Sequence, residues 1–325
     1  DLTGSASLVA EAFGIFEKDL EFARATVPIY DSNRDGDALG GEDNIFQLLQ
    51  ERPFRLITRE ESADGGTSQY ATNARIVTVN GQQYKFFATD RGGDLSNRYM
   101  LCWSKLVNGS WTDATPVAND GTSDLYYDVA VSGSDIYVVW SNSSKVFNDE
   151  TVTLDEFAAA QEIYMAVINT TTGTTGDALQ LTSNTIMDSQ PAVTVLDGTA
   201  YVAWSHTANS MEDMTDVHDN YLQYTSVTGG TAGETVSVNF EKASINTVSA
   251  SAASGKPLAT IVSNASDEYS IADNETTVVD MSNATKTEVD TTDKVIGKTV
   301  TGTINGTEQV FWMENGNVAY ADSIT

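Results

Sequence analysis

The sequence from Tyr126 to Ser141, YYDVAVSGSDIYVVWS, is closely matched by the sequence from Gln190 to Ser205, QPAVTVLDGTAYVAWS. Each stretch contains two runs of alternating apolar and polar residues, separated by a short turn with a glycine. Alternation of this kind predicts a half-buried β-strand, and a tight turn with glycine between two such runs predicts a β-hairpin. The two stretches therefore predict two copies of one repeating hairpin.

Three weaker copies of the hairpin begin at Arg75, Ser249 and Thr299. A bulky apolar residue ends the second strand of each copy, and these residues are Phe87, Trp140, Trp204, Ile261 and Trp312. They are 53, 64, 57 and 51 residues apart. A period in this range is typical of β-propeller blades.

Further strands are predicted after each hairpin. A third strand is expected at residues 99–106, 162–169, 221–227, 276–281 and 317–323, and a more polar fourth strand at 115–118, 178–182, 236–240 and 287–290. The fifth copy lacks a fourth strand, but residues 53–58 resemble 178–182 and could supply it, which would leave no free sheet edge. We predict an all-β fold: a β-propeller of about five four-stranded blades, closed by this N-terminal outer strand. Six blades or an open partial ring are the alternatives.

The order of hairpin, third strand and short Leu-Thr strand resembles sialidase-like propeller repeats, and more closely the propeller modules of large multidomain surface proteins of gut Firmicutes. The resemblance extends over residues 53–325. A degenerate Asp-box runs from Ser104 to Trp111, with the family's Ser-to-Trp spacing but without its Asp. The resemblance implies a propeller fold and an extracellular or cell-surface location, and it implies little about activity.

The composition narrows the possible partners. The formal net charge is −29, from 46 acidic and 17 basic residues, and this charge repels nucleic acid and anionic membranes. No stretch is apolar enough to insert into a membrane. Cys102 is the single cysteine, so an intrachain disulfide is excluded, and its apolar neighbours predict a buried thiol. We expect a monomer or part of a longer chain. The start at Asp1, without an initiator Met or a signal sequence, indicates a mature or excised piece of a longer product.

The first 52 residues are predicted to form a helical segment that includes an amphipathic helix over residues 6–26. The segment from Asp31 to Glu42 then matches the EF-hand calcium loop at its side-chain ligand positions, as in dockerin-type loops. The expected structural calcium ligands are Asp31, Asn33, Asp35, Asp37 and Glu42. The alternative is an acidic Gly-rich connector without metal.

The predicted blades place short turns at one end of each sheet and long, variable loops at the other. Function usually concentrates in long loops on a rigid scaffold. The candidate ligand-binding residues on this long-loop face are Asp90, Arg91, Tyr126, Tyr127, Phe147, His206 and His218. For the aromatic residues, burial against a blade or helix is the alternative, and for the loop after His206 it is an acidic solvated loop. A capping box from Thr153 to Glu156 predicts a short helix in one of the loops.

The resemblance implies residues that an active enzyme would need, and the sequence shows which of them are present. Sialidases hold the substrate carboxylate with three arginines from different blades, and this chain has no arginine after Arg98. The fold is also similar to arabinanase-type glycosidases, which need acids on inner strands. Asp128 is one such acid, but the equivalent positions carry Ala192 or Val193, Ala250 and Thr301.

We therefore predict a non-catalytic extracellular binding, adhesion or scaffold module that recognises a glycan or a cell-surface protein. An arabinanase-like glycoside hydrolase is the alternative.

Overall fold

The structure of the chain is a computed structural model, and it is nearly all β. It describes residues 72–90, 95–148, 151–208, 220–240, 245–252, 255–264, 274–289, 299–304, 307–314 and 317–321. The predicted N-terminal helical segment, the boundary at residue 53 and the predicted closing strand at residues 53–58 lie outside these residues. The closed ring of about five blades therefore stays a prediction.

The described strands form five sheets. Sheet 1 contains β1 (Thr72–Val79), β2 (Gln82–Asp90), β3 (Tyr99–Val107), β4 (Ser110–Trp111) and β5 (Thr115–Pro116). Sheet 2 contains β6 (Asp124–Ser132), β7 (Asp135–Ser143), β8 (Gln161–Asn169), β9 (Thr174–Thr175) and β10 (Leu179–Gln180). Sheet 3 contains β11 (Met187–Leu196), β12 (Thr199–Thr207), β13 (Asn220–Thr228), β14 (Thr231–Ala232) and β15 (Val236–Asn239).

The last two sheets are smaller. Sheet 4 contains β16 (Ile245–Ser251), β17 (Leu258–Asn264), β18 (Asn274–Asp280) and β19 (Thr285–Val289). Sheet 5 contains β20 (Val300–Ile304), β21 (Thr307–Glu314) and β22 (Asn317–Tyr320). In all five sheets the first three strands lie side by side in chain order. The predicted hairpins and third strands are therefore confirmed.

The tight turns follow from residues that tolerate a positive φ. At the β11–β12 turn Asp197 has φ 50° and Gly198 has φ 79°, and the β1–β2 turn has the same form at Asn80 and Gly81. A two-residue turn with positive φ at both positions matches the twist of the strands that it joins. The Asn108–Gly109 turn between β3 and β4 is of the same kind and occupies the degenerate Asp-box.

The chain divides into two compact units. Unit 1 contains Asp1–Tyr126 and Asn142–Ala160, with sheet 1 and the short helix α1 (Leu154–Ala158). Unit 2 contains Tyr127–Ser141 and Gln161–Thr325, with most of sheet 2 and all of sheets 3, 4 and 5.

Unit 2 is built by packing each sheet on the next one along the chain. Strand β11 contacts β8 on one side and β16 on the other, and β16 also contacts β20. Sheets 2 and 3 bury Ile163 and Trp204 between them, and sheets 3 and 4 bury Leu222 and Ile261. Trp312 of sheet 5 packs against sheet 4. Consecutive antiparallel sheets that pack face to face in chain order are the arrangement of propeller blades.

The core of unit 1 is smaller. Phe86, Leu101 and Cys102 of sheet 1 are inaccessible to solvent. The sequence prediction of a buried thiol at Cys102 is confirmed, because Cys102 is free and lies in the interior of β3. Its Sγ is 3.7 Å from the hydroxyl of Thr89.

Candidate functional site

In unit 2, the ends of β12 and β17 lie beside the starts of β13 and β18, where the long connections of sheets 3 and 4 begin. Hydrogen bonds described below place the start of β8 at the same end as the start of β11. We call this end of the sheets, in unit 2, the long-loop end. It is where the sequence predicted the functional face to lie.

A buried carboxylate organises the part of this end that belongs to sheets 2 and 3. Asp188, at the start of β11, is inaccessible to solvent. Its Oδ1 accepts a hydrogen bond from Trp204 Nε1 at 3.0 Å and is 2.6 Å from His206 Nδ1, and its Oδ2 accepts one from Asn184 Nδ2 at 2.8 Å. Asp188 therefore holds β12, which ends beside it, and fixes the orientation of the imidazole ring.

A second buried carboxylate lies beside Asp188. Glu162, the second residue of β8, is 2% exposed and accepts hydrogen bonds from Thr182 Oγ1 at 2.5 Å and from the backbone N–H of Asn184 at 2.6 Å. Burial raises the pKa of the Glu162 carboxyl above its ordinary value, and the negative charge of Asp188 acts in the same direction; the two hydrogen bonds and His206 oppose the rise. Glu162 thus ties the long-loop end of sheet 2 to the segment before β11.

His206, one of the predicted ligand-binding residues, belongs to this network through Asp188. It is near the end of β12, with a side chain 11% exposed, and its ring meets the ring of Tyr221 edge-on at a centroid distance of 6.2 Å. With Nδ1 engaged by Asp188, Nε2 is the ring atom left for another partner.

An open cavity of about 400 Å³ occupies the same end between sheets 3 and 4. Its walls come from the end of β15, the end of β17, the start of β18 and the strand β19. The lining residues are Asn239, Phe240, Ser263, Glu275, Thr277, Lys286 and Glu288. No pattern in the sequence indicates these residues, because the cavity forms only where two sheets from distant parts of the chain meet.

The long loop of unit 1 is held by specific contacts. The side chain of Asn97 accepts a hydrogen bond from the backbone N–H of Phe147 at 2.9 Å and donates one to its carbonyl oxygen. The ring of Phe147 packs against the ring of Phe157 in α1, with a distance of 5.6 Å between the ring centroids. Lys145 Nζ lies 4.8 Å from the centroid of the Phe147 ring. These contacts show Phe147 packed against the helix, which is the alternative that the sequence left open for this residue.

The remaining candidate residues are distributed along the strands or lie outside the described residues. Asp90 ends β2, and Tyr126 and Tyr127 are half-buried residues of β6. Arg91, His218 and all five predicted calcium ligands are among the residues that the structure does not describe. A role for these residues in binding therefore stays a prediction.

The acids on the inner strand of sheet 2 bind backbone groups. Asp124 Oδ2 accepts from the N–H of Leu101 at 2.7 Å within unit 1, and Asp128 Oδ2 accepts from the N–H of Val193 at 3.1 Å within unit 2. Both side chains are buried. Asp128, the acid considered for arabinanase-like chemistry, thus has a scaffold contact in this structure.

The described residues contain neither a metal-binding cluster nor a membrane-crossing helix. No group of three or more His, Cys, Asp or Glu side chains in the described ranges is placed to hold a metal ion. The part of the chain with described coordinates also contains no helix with the length and hydropathy of a bilayer-crossing segment.

Comparisons with known proteins give a fold and no family. No family model matches the chain, and no curated protein matches it. Among solved structures, a protein of unknown function from Dyadobacter fermentans aligns with a TM-score of 0.53 at 11% identity, over 74% of each chain. The polysaccharide lyase Uly1 aligns with a TM-score of 0.50 at 11% identity over 79% of this chain, and an apocarotenoid oxygenase of Synechocystis with 0.50 at 9% over 75%.

These likenesses support a fold of β-propeller type, which the packing of the sheets also indicates. At such low identity they show the fold alone. The chain spans 58% of the length of Uly1 and 56% of that of the oxygenase.

Proposed function

We propose that the chain is a non-catalytic extracellular module that binds a glycan through the long-loop end of unit 2. The observation that carries this proposal is the open polar cavity of about 400 Å³ at that end, lined by carboxylates, hydroxyls, a lysine and an aromatic ring. Its volume is within the range of small-ligand sites, about 300–1,000 Å³. Groups of these kinds can exchange many hydrogen bonds with a sugar.

The state of the buried acids supports binding over catalysis. Asp128, Glu162 and Asp188 are at most 5% exposed, and each accepts hydrogen bonds from backbone or side-chain donors of the scaffold. A glycosidase acid or base must reach the glycosidic oxygen, a water molecule or the anomeric carbon. Side chains that are buried and already bonded are poorly placed to do so.

The charge and the fold agree with a glycan ligand outside the cell. A net charge of −29 disfavours nucleic acid and anionic membranes, and it leaves neutral ligands unaffected. One of the solved structures with a similar fold is a polysaccharide lyase. That protein supports the proposal only as an example of this type of fold acting on a polysaccharide.

An arabinanase-like hydrolase is the second candidate, and one observation favours it. The pKa of Glu162 is raised next to the carboxylate of Asp188. A pair of acids in which one is kept protonated is typical of glycosidases. The burial of both side chains makes this pair the weaker candidate.

A glycan array probed with the native chain, followed by product analysis on every glycan that binds, separates these functions. We expect binding to a limited set of glycans without release of reducing sugar or of unsaturated products. Turnover of a bound glycan would establish the hydrolase or lyase alternative. A blank array would overturn glycan binding and favour a rigid spacer in a larger surface protein.

A further inference from the structure

The lining of the cavity between sheets 3 and 4 indicates the class of sugar that it accepts. Its polar residues come mainly from one face of sheet 4. Ser263 pairs with Glu275 and Thr277 pairs with Glu288 across neighbouring strands. Since side chains alternate between the two faces of a strand, these four residues and Lys286, two positions before Glu288, share that face.

Two hydroxyl side chains line the cavity. Ser263 and Thr277 are buried as residues, at 2% and 4% exposed, and both belong to the cavity wall. A hydroxyl can donate one hydrogen bond and accept others. These two side chains therefore add donors and acceptors that a polar molecule in the cavity can use.

The lysine of the cavity is held in place. Lys286 Nζ donates a hydrogen bond to the backbone oxygen of Asn239 and lies 4.7 Å above the ring of Phe240. An ammonium group over an aromatic face is attracted by the ring's electrons. Lys286 is exposed, and these two contacts hold its ammonium group in place as a donor in the cavity wall.

The carboxylates of Glu275 and Glu288 are at the exposed rim. Neither makes an ion pair or a hydrogen bond within the described part of the chain, so both are available as acceptors. An anionic sugar would be repelled by these two charges and by the net charge of −29. A simple cation would be repelled by the ammonium of Lys286. A neutral molecule with many hydroxyls satisfies all five groups.

We propose that this cavity binds a neutral saccharide, whose hydroxyls donate to Glu275 and Glu288 and accept from Lys286, Ser263 and Thr277. The inference rests on the proposed glycan-binding function and adds the location of the subsite and the exclusion of uronic acids and sulfated sugars. The two glutamates at the rim determine this specificity.

The test uses the native chain, three single variants and defined probes. The variants are Glu275→Gln, Glu288→Gln and, as the matched control, Glu234→Gln, an exposed glutamate of unit 2 that does not line the cavity. The neutral probes are the tetrasaccharides cellotetraose, xylotetraose, arabinotetraose and mannotetraose, and tetragalacturonate is the acidic probe. Calorimetric titration gives each affinity, and melting temperatures verify that every variant is folded.

We expect at least one neutral tetrasaccharide to bind and tetragalacturonate not to bind. Loss of one hydrogen bond to a charged group should weaken binding by about tenfold or more in Glu275→Gln and Glu288→Gln, and Glu234→Gln should bind like the native chain.

Neutral binding that is unchanged in both rim variants would overturn the cavity as the subsite and leave the proposed function standing. Binding of tetragalacturonate alone would overturn the neutral class in the same way. A chain that binds none of these probes and no glycan of the array would overturn the proposed function, and this inference with it.

Discussion

Among single residues, Asp188 connects three side chains at the long-loop end of sheets 2 and 3. Its carboxylate is inaccessible and engages Trp204, Asn184 and His206. Replacement by alanine leaves buried donors without an acceptor, which typically costs several kcal/mol. We predict that Asp188→Ala lowers the free energy of unfolding by about 3 kcal/mol in urea titrations.

The matched control is Asp177→Ala, which removes the same charge at an exposed position. It should change the free energy of unfolding by less than about 0.5 kcal/mol. Equal unfolding curves for Asp188→Ala and Asp177→Ala would show that the network around Asp188 contributes nothing to stability.

Glu162 gives a prediction for the pH dependence of stability. Its pKa is raised in the folded chain, chiefly by burial, so the folded state binds its proton more tightly than the unfolded state. The wild type therefore loses stability as the pH rises through the interval between the ordinary glutamate pKa and the higher folded-state value, and the loss is complete above that interval. Glu162→Gln lacks this titration.

The measurement is the difference in free energy of unfolding between wild type and Glu162→Gln at a series of pH values. We expect the stability of the wild type relative to the variant to fall as the pH rises above the ordinary glutamate pKa, and the difference to become constant once the pH exceeds the raised pKa of the folded state. Glu234→Gln, at an exposed position, corrects for the general loss of a carboxylate. A difference that is independent of pH would mean that Glu162 titrates alike in both states.

The sequence predicted only part of the candidate site at this scale. The sequence indicates His206 because it begins a long loop with a second histidine and several acids, whereas no pattern indicates Glu162 or Asp188. Both acids occur in strands, where a sequence pattern cannot distinguish a buried hydrogen-bonded carboxylate from a solvated one. Their partners, such as Thr182 for Glu162, are about twenty residues away and meet them only in the folded sheet.

Among the secondary-structure elements, helix α1 could be predicted fully from the sequence, because its capping depends on residues within one turn. Thr153 Oγ1 accepts from the N–H of Glu156 at 3.1 Å, and Glu156 Oε2 accepts from the N–H of Thr153 at 3.1 Å. The predicted capping box and short helix are confirmed. Loss of an N-cap side chain costs about 1 kcal/mol.

We predict that Thr153→Ala accelerates hydrogen exchange of the amides of Glu156 and Phe157 by about fivefold, and that Thr153→Ser restores slow exchange. Thr171→Ala, at an exposed turn residue without a capping role, serves as the control and should leave these amides unchanged. Exchange that is equally fast in the native chain and in Thr153→Ala would mean that the cap does not hold the helix.

The strands were predicted to within a few residues because their alternation is local, but three short strands were missed. Each consists of two residues, Ser110–Trp111, Thr174–Thr175 and Thr231–Ala232, and folds back on the third strand of its sheet. Two residues are too few to show a period of two. The first strands of sheets 1, 3 and 4 also contain register shifts near their beginnings, as between Ser189 and Ala192, which no pattern in the sequence indicates.

At the scale of the whole molecule, the repeat of the hairpins predicted the fold class, and the packing of sheets in chain order agrees with it. The number of blades and their closure depend on how the first and last repeats are placed. Contacts between such distant repeats cannot be predicted from the sequence pattern of a single repeat. For the same reason the cavity beside Lys286, which needs both β15 and β19, could not be predicted.

The EF-hand-like loop gives a prediction for the complete chain. If Asp31, Asn33, Asp35, Asp37 and Glu42 bind calcium, calorimetric titration of the native chain should show heat at one site, and calcium should raise the melting temperature. Asp31→Ala removes the first ligand and should abolish the heat, whereas Asp64→Ala, outside the loop, should not. Identical titrations of the native chain and Asp31→Ala would refute calcium binding by this loop.

The order of the sheets along the chain bears on how the protein is made. Every described sheet consists of consecutive strands, and sheets 3, 4 and 5 each contact the one that precedes them in the sequence. A blade can thus form as soon as its own fifty or so residues, about one repeat, have left the ribosome. Each finished blade then offers the next one a surface on which to assemble, so synthesis from the N-terminus can guide folding one blade at a time.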